Sequence, residues 1–103
     1  MKKKQIIREN FRAAVFKRDG YKCVFCDETG NLDAHHITDR NEMPNGGYVK
    51  ENGISVCEDH HLLCEQFHIE GKVDDPKYHP NNLYHMVGSH FLTAVKASER
   101  LKV

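Results

Sequence analysis

No stretch of the sequence approaches the run of about 20 apolar residues that a membrane-spanning helix needs. The lysine-rich start does not lead into the apolar segment of a secretion signal either. The chain has no internal repeat and no low-complexity tract, and its 103 residues suit one domain. We therefore expect a single-domain cytoplasmic protein with no membrane partner.

The sequence also lacks net charge, with 15 basic and 15 acidic residues, which taken alone argues against a nucleic-acid-binding protein. The neutral total is the sum of two segments with opposite net charge. Residues 1–22 carry eight basic and two acidic groups, a net charge of +6, and the remaining 81 residues carry −6. Because a basic segment binds phosphates by releasing condensed counterions, the neutral total does not exclude DNA. The alternative interpretation is a solvated terminus that aids solubility.

The hydrophobic pattern predicts a helix, a compact β-β-α core, a loop and a closing helix, which is an α+β fold. Apolar residues recur at three- and four-residue steps where an amphipathic helix is expected, and short β-prone runs between turn residues indicate strands. The predicted elements are the helix 5–18, the strands 32–38 and 54–57, the helix 58–67 and the helix from Leu83 onward. We expect one domain, 1–103, with a motif core at about 12–68 and a helical extension at about 83–101.

Two closely spaced pairs of cysteine and histidine, Cys23-x-x-Cys26 and Cys57-x-x-His60, have the spacing of zinc ligands. A cytoplasmic chain does not favour a structural disulfide. A thioredoxin-type pair would open a helix within a βαβ unit, whereas Cys23 and Cys26 lie in a predicted turn between short extended pieces. We predict a closed structural Zn²⁺ site of three cysteines and one histidine. Cys64 is the alternative to His60 as fourth ligand, and is otherwise a small buried apolar residue.

Three more histidines stand close to these pairs along the chain. His35 and His36 are adjacent on a predicted strand, so their side chains should point to opposite faces. His61 directly follows the predicted zinc ligand His60. Two imidazoles on a half-buried strand are costly unless they bind something. The plainer interpretation is one surface histidine and one hydrogen-bonded core histidine.

Three runs of the sequence resemble the HNH endonuclease family, in the branch with a zinc knuckle and a His-His pair. They are FKRDGYKCVFC at 16–26, DAHHI at 33–37 and ENGISVCEDHH at 51–61. The resemblance covers residues 12–68, about half the chain, and the three residues that name the family match His36, Asn52 and His61. It implies a ββα-metal (His-Me finger) core around a catalytic divalent ion, separate from the structural zinc.

The resemblance also implies roles for individual residues. His36 is the general base that activates water, and His35 and His61 hold the catalytic ion. Many family members have aspartate in place of His35, and since Mg²⁺ prefers carboxylates we expect Mn²⁺ ahead of Mg²⁺, with Ni²⁺ as a further option. Asn52 orients His36 through a backbone contact or binds the ion. Glu65, on the same helix face as His61, is a further ligand or, more commonly for glutamate, a solvated surface group.

The implied activity is metal-dependent hydrolysis of phosphodiester bonds in double-stranded DNA. A single site cuts one strand per encounter, so we expect nicking, and no extra recognition domain indicates high sequence specificity. The C-terminal helix packs on the core or contacts a larger phage or mobile-element machinery. The predicted phosphate contacts are Arg12, Lys17, Arg18, Lys22 and Arg40.

Two other functions compete with this interpretation. A non-catalytic zinc-knuckle DNA-binding module needs only the zinc ligands, so the presence of His35, His36, Asn52 and His61 favours the enzyme. A redox protein using Cys23 and Cys26 leaves the histidines unexplained.

Overall fold

The computed structural model describes residues 2–102, which form a small α+β fold, as the hydrophobic pattern predicts. The elements are α1 (Lys3–Arg18), β1 (Asp33–His36), β2 (Gly53–Val56), α2 (Glu58–Glu70), α3 (Pro80–Met86) and α4 (Phe91–Glu99). Four short 3-10 helices lie between them at Arg40–Glu42, Pro44–Gly47, Lys50–Asn52 and Pro76–Tyr78. None of the helices within residues 2–102 is both long and apolar enough to cross a membrane.

The two strands form an antiparallel pair that sets the direction of the histidine side chains. His35 is opposite Ile54, and His36 is opposite Gly53. Successive side chains of a strand point to opposite faces. His35 accordingly packs against His61 and His68 of α2, whereas His36 stacks on Phe11 of α1 with ring centroids 4.6 Å apart. The expectation that the two imidazoles separate is confirmed.

The hydrophobic core joins the sheet, α2 and the C-terminal helices. Buried side chains from every one of these elements belong to one cluster, among them Ile54, Val56, Cys64, Leu83 and Ala94. Burial of such apolar area is the main favourable term in folding. The C-terminal helical segment therefore packs on the core, which was one of its two expected roles.

Helix α1 lies unusually close to the sheet, and a glycine makes this possible. Phe11 and Val15 are the buried residues of α1. A Cβ atom placed on Gly53 would lie 2.4 Å from Val15 Cγ2 and 2.8 Å from Phe11 Cε1. Real carbon atoms do not approach so closely, so any side chain at this position must push α1 away from β2.

The end of α1 is fastened to β2 by a charged hydrogen-bond group. Arg18 donates to the carbonyl oxygens of Lys50 and Gly53 and to both carboxylate oxygens of Asp19. The Asp19 carboxylate in turn accepts the backbone N–H of Ser55 at 2.8 Å. Hydrogen bonds to charged groups are stronger than neutral ones, so this group fixes how α1 meets the sheet.

Two predicted elements differ from the observed ones. Residues 21–26 form turns with no flanking strand, and the helix expected from Leu83 onward is two helices, α3 and α4. The break follows from Gly88, whose φ of +68° belongs to the left-handed region that glycine adopts without strain.

We expect Gly53→Ala to lower the free energy of unfolding by about 1–3 kcal/mol, because the added methyl group overpacks the contact with Phe11 and Val15. Gly30→Ala is the matched control, since a Cβ at Gly30 meets nothing within 4 Å. Urea denaturation of the two variants measures the difference. Equal stability of both variants would contradict the close packing of α1 on β2.

Candidate functional site

The four predicted zinc ligands lie together where the turn after α1 meets the start of α2. The donor atoms of Cys23, Cys26, Cys57 and His60 lie within 4.8 Å of one another. The Sγ atoms of Cys26 and Cys57 are 3.8 Å apart, and His60 Nδ1 lies 3.1 Å from Cys57 Sγ and 3.7 Å from Cys23 Sγ. Bonds of about 2.3 Å to sulfur and 2.0 Å to nitrogen place tetrahedral ligands about 3.5–3.8 Å apart. The cluster can therefore hold a metal ion such as zinc.

The environment acts in opposite directions on two of these thiols. Burial raises the pKa of the Cys23 thiol, but backbone N–H groups, including that of Phe25 at 3.4 Å from Sγ, outweigh it and lower the pKa. A backbone hydrogen bond from Glu28 lowers the pKa of Cys26, but desolvation and the neighbouring Cys23 and Cys57 thiols outweigh it and raise the pKa to about 11.

Cys64 lies outside the cluster in the hydrophobic core, where burial raises its pKa to about 12. His60 rather than Cys64 completes the cluster, and Cys64 is the buried apolar residue that was the alternative for it.

We expect Cys26→Ser to abolish tight zinc binding at this cluster, because an alcohol does not replace a thiolate ligand. Cys26 is exposed, so the change costs little packing. Cobalt substitution followed by absorption spectroscopy detects sulfur-to-cobalt charge transfer, which reports cysteine ligands only.

Cys64→Ala is the control for this experiment and should keep the charge-transfer band. Loss of the band in Cys64→Ala but not in Cys26→Ser would exchange the roles of the two cysteines.

A second group of imidazole and carboxylate side chains lies between β1 and one face of α2. His61, Glu65 and His68 share this face because they recur at four- and three-residue steps, and His35 reaches them from β1. Donor atoms of His35, Glu65 and His68 lie within 4.8 Å of one another. Glu65 Oε2 is 3.5 Å from His35 Nδ1 and 3.4 Å from His61 Nε2. We call these four residues the imidazole cluster.

Glu65 is therefore not the solvated surface group that the sequence favoured. Its hydrogen bond with His35 lowers the pKa of the Glu65 carboxyl to about 2, and the neighbouring imidazoles act in the same direction. The carboxylate is ionised at neutral pH and faces two imidazoles.

Hydrogen bonds at the edge of the imidazole cluster determine which ring nitrogens keep a lone pair. His68 Nε2 donates to the carbonyl oxygen of His36 at 2.8 Å, since a carbonyl can only accept, which leaves Nδ1 free. His61 Nδ1 lies 3.2 Å from Asp33 Oδ2 and donates to it, so Nε2, 3.4 Å from Glu65 Oε2, is the ring nitrogen available to a cation. This donor set fits a metal ion, with Asp33 orienting the imidazole as carboxylates commonly do behind metal-binding histidines.

His36 lies on the other face of β1 in a more apolar setting. Its ring stacks on Phe11 and meets the edge of Tyr48 at 4.8 Å between centroids. Burial, assisted by the nearby His35, lowers the pKa of His36 to about 4, so the ring is neutral at pH 7. The Nε2 atoms of both His35 and His36 are buried with no hydrogen-bond partner among residues 2–102. Unpartnered buried polar atoms are costly and are concentrated at functional sites.

A single cavity of about 270 Å³ reaches both histidines although they lie on opposite faces of β1. Three residues of α2 line it as well, together with Arg40 and Tyr48. The cavity thus brings a neutral imidazole, His36, next to the imidazole cluster and a guanidinium group.

Asn52 is fully buried and takes part in neither cluster. Its Oδ1 accepts from Thr38 N at 2.9 Å and from the Tyr84 hydroxyl at 2.7 Å, and its Nδ2 donates to the carbonyl oxygens of Thr38 and Gly47. The Asn52 carbonyl accepts the N–H of Ile37 at 2.8 Å. Asn52 therefore holds the end of β1 immediately after His36, which fits the expected backbone contact and leaves no atom of its amide for a metal ion.

The five predicted phosphate contacts have different surroundings. Arg40 lines the cavity, with Nη1 3.5 Å from the Tyr48 hydroxyl, whereas Lys17 is exposed on α1. Lys22 pairs with Asp27, and Arg12 lies over the ring of Phe16. Arg18 donates to the carbonyl oxygens of Lys50 and Gly53 and so joins α1 to β2, and its contact with DNA stays a prediction.

Comparison of the chain with protein-family models, with curated proteins and with solved structures yields no match. The geometry of the two clusters is therefore the basis for assigning a function.

We expect the free energy of unfolding to fall as the pH decreases from about 6.5 to about 4. The pKa of the buried His36 is lower in the folded protein than in the unfolded chain. Between these two pKa values the unfolded chain binds a proton and the folded protein does not, so lowering the pH favours unfolding. His36→Gln should remove up to about 3 kcal/mol of this dependence, at 1.36 kcal/mol for each unit of pKa difference. Urea denaturation at several pH values measures it.

His85→Gln is the matched control, because His85 is exposed. Loss of zinc at acidic pH affects all three proteins alike and cancels in the difference between them. A pH dependence that is the same in His36→Gln and the unchanged protein would show that His36 is not buried in its neutral form.

Proposed function

We propose that this protein is a metal-dependent endonuclease of the HNH type that nicks duplex DNA. In this proposal β1, β2 and α2 form the ββα-metal core, and the Cys23, Cys26, Cys57 and His60 cluster is its structural zinc knuckle. The observation that carries the proposal is the shared cavity, in which the buried, neutral His36 lies beside the imidazole cluster. A protein that only binds DNA through a zinc knuckle has no use for this arrangement.

We assign proton transfer in this reaction to His36. Hydrolysis requires that an attacking water lose a proton as its oxygen forms a bond to phosphorus and the bond to the sugar oxygen breaks. A neutral imidazole accepts this proton. Because His36 Nε2 is buried without a partner, Nδ1 is the atom that takes the proton. The stacking contact with Phe11 and the hydrogen bond from His68 to the His36 carbonyl fix the position of the ring.

The imidazole cluster is the proposed site for the catalytic divalent ion. His35, His61, Glu65 and His68 would hold it, and their mixture of nitrogen and oxygen donors suits Mn²⁺ or Ni²⁺ better than Mg²⁺. Such an ion supplies Lewis acidity for the charge that develops on the phosphate. Asp33 keeps His61 in the tautomer that binds metal, and Arg40 offers a guanidinium to the phosphate at the rim of the cavity.

We expect His36→Ala to reduce nicking of supercoiled plasmid by about 10²- to 10⁴-fold, because it removes the general base. The assay follows conversion of supercoiled to open-circular DNA with Mn²⁺, with Mg²⁺ or with EDTA. Zinc content and circular dichroism of the variant should be unchanged, since His36 is not a ligand of the zinc cluster.

His85→Ala should cut at the rate of the unchanged protein. Full activity in His36→Ala would contradict the assignment of the base. Absence of cleavage by the unchanged protein with every divalent ion would overturn the enzyme in favour of a zinc-knuckle binding module.

A further inference from the structure

A second and larger cavity lies beside the proposed catalytic one. It has a volume of about 650 Å³ and lies between the first two turns of α1 and the segment that contains Arg40 and Tyr48. Its cationic lining residues are Lys3, Lys4, Arg8 and Arg40. We call this cavity the basic groove.

The cations of the basic groove form no salt bridge among the residues that the structure describes. Within residues 2–102, no carboxylate oxygen lies within 4.0 Å of a nitrogen of Lys3, Lys4, Arg8 or Arg40. The three α1 residues are exposed, so their charge is available to a ligand. Three basic residues elsewhere do lie within 4.0 Å of a carboxylate: Arg18 at Asp19, Lys22 at Asp27 and Lys72 at Asp74.

Helix stability does not account for these cations. Lys3 and Lys4 lie in the first turn of α1, which contains no acidic residue. The positive end of the helix dipole disfavours cations at this position, so both lysines cost α1 stability. An anion at this end of α1 would be attracted both by these side chains and by the helix end.

The basic groove and the catalytic cavity share two residues. Arg40 and Tyr48 line both, and the Tyr48 ring also contacts His36 at 4.8 Å between centroids. A polyanion that lies in the groove is thereby led to the cavity in which His36 faces the imidazole cluster. A nucleic-acid strand matches this continuity because its phosphates repeat along its length, whereas a flat membrane surface does not follow a groove that leads into a cavity.

We propose that the basic groove binds the phosphate backbone of DNA next to the bond that is cut. This inference rests on the proposed nuclease function for its ligand, but the binding step can be measured without cleavage. Lys3, Lys4 and Arg8 hold the flanking phosphates, and Arg40 is shared between the flanking and the reacting phosphate. Such contacts position DNA and carry no sequence information, in agreement with the expected low specificity.

The test measures binding of a duplex oligonucleotide to the non-cleaving His36→Ala protein by fluorescence anisotropy over a range of salt concentrations. The groove variant adds Lys3→Gln, Lys4→Gln and Arg8→Gln to this protein. Its plot of log K against log salt should be less steep by about 2–3, because each phosphate contact contributes about 0.9 to the steepness. Affinity near physiological salt should fall about 10- to 100-fold. Circular dichroism verifies that the exposed substitutions leave the fold intact.

The control removes three other exposed lysines, Lys72, Lys77 and Lys96, none of which lines either cavity. This control has the same net charge as the groove variant and should change the slope much less. Equal slopes in the two triple variants would overturn the groove, because net charge alone would then explain binding.

The outcomes separate this inference from the nuclease proposal. Plasmid nicking by the unchanged protein with an unaltered salt slope in the groove variant would refute the groove alone. A lowered slope without nicking under any metal condition would support the groove and refute the nuclease. The last measurement uses vesicles of phosphatidylserine and phosphatidylcholine. If the groove variant bound these vesicles more weakly but bound DNA unchanged, the groove would be assigned to an anionic membrane surface.

Discussion

The start of α2 is the constraint on which the proposed site depends. His60, in the first turn of this helix, meets Cys57 and the turn that contains Cys23 and Cys26. The next residue, His61, belongs to the imidazole cluster, as do two residues one and two turns further along. A helix with a fixed start and a regular rise places all of these side chains. A metal ion at the cysteine cluster would thus position the imidazole cluster without touching it.

A cation bound at the imidazole cluster, as proposed, would contact groups that are incompletely paired within residues 2–102. The cluster holds the ionised Glu65 beside His35 and His61, and its orphaned Nε2 atom on His35 is buried. Burial lowers the pKa of His35, so protonation of this ring does not resolve the arrangement at neutral pH. A cation shared by these atoms would attract the Glu65 carboxylate and the imidazole lone pairs together, which would offset the cost of burying them. His36 differs because apolar rings surround it and keep it neutral.

Local spacing predicted much of this structure. The Cys-x-x-Cys and Cys-x-x-His spacings identified the cysteine cluster. The alternation of side chains between the two faces of a strand placed His35 and His36 on opposite sides. Asp33 and His68 were missed because their roles depend on how closely β1 approaches α2, which is a contact between distant parts of the chain. Helical spacing from His61 was the available signal for His68, since seven residues return to the same face. The sequence likewise does not show that Arg18 donates to the backbone carbonyls of residues 50 and 53, which are distant along the chain.

In the proposed function, the imidazole cluster is a second, open metal site that is distinct from the cysteine cluster. Titration of the zinc-loaded protein with Mn²⁺, followed by electron paramagnetic resonance, tests this assignment most directly. We predict one bound Mn²⁺ per chain, with affinity at least tenfold weaker in Glu65→Gln and unchanged in Glu70→Gln, whose carboxylate is exposed outside the cluster. Failure to bind Mn²⁺, or equal affinity in the two variants, would contradict this assignment.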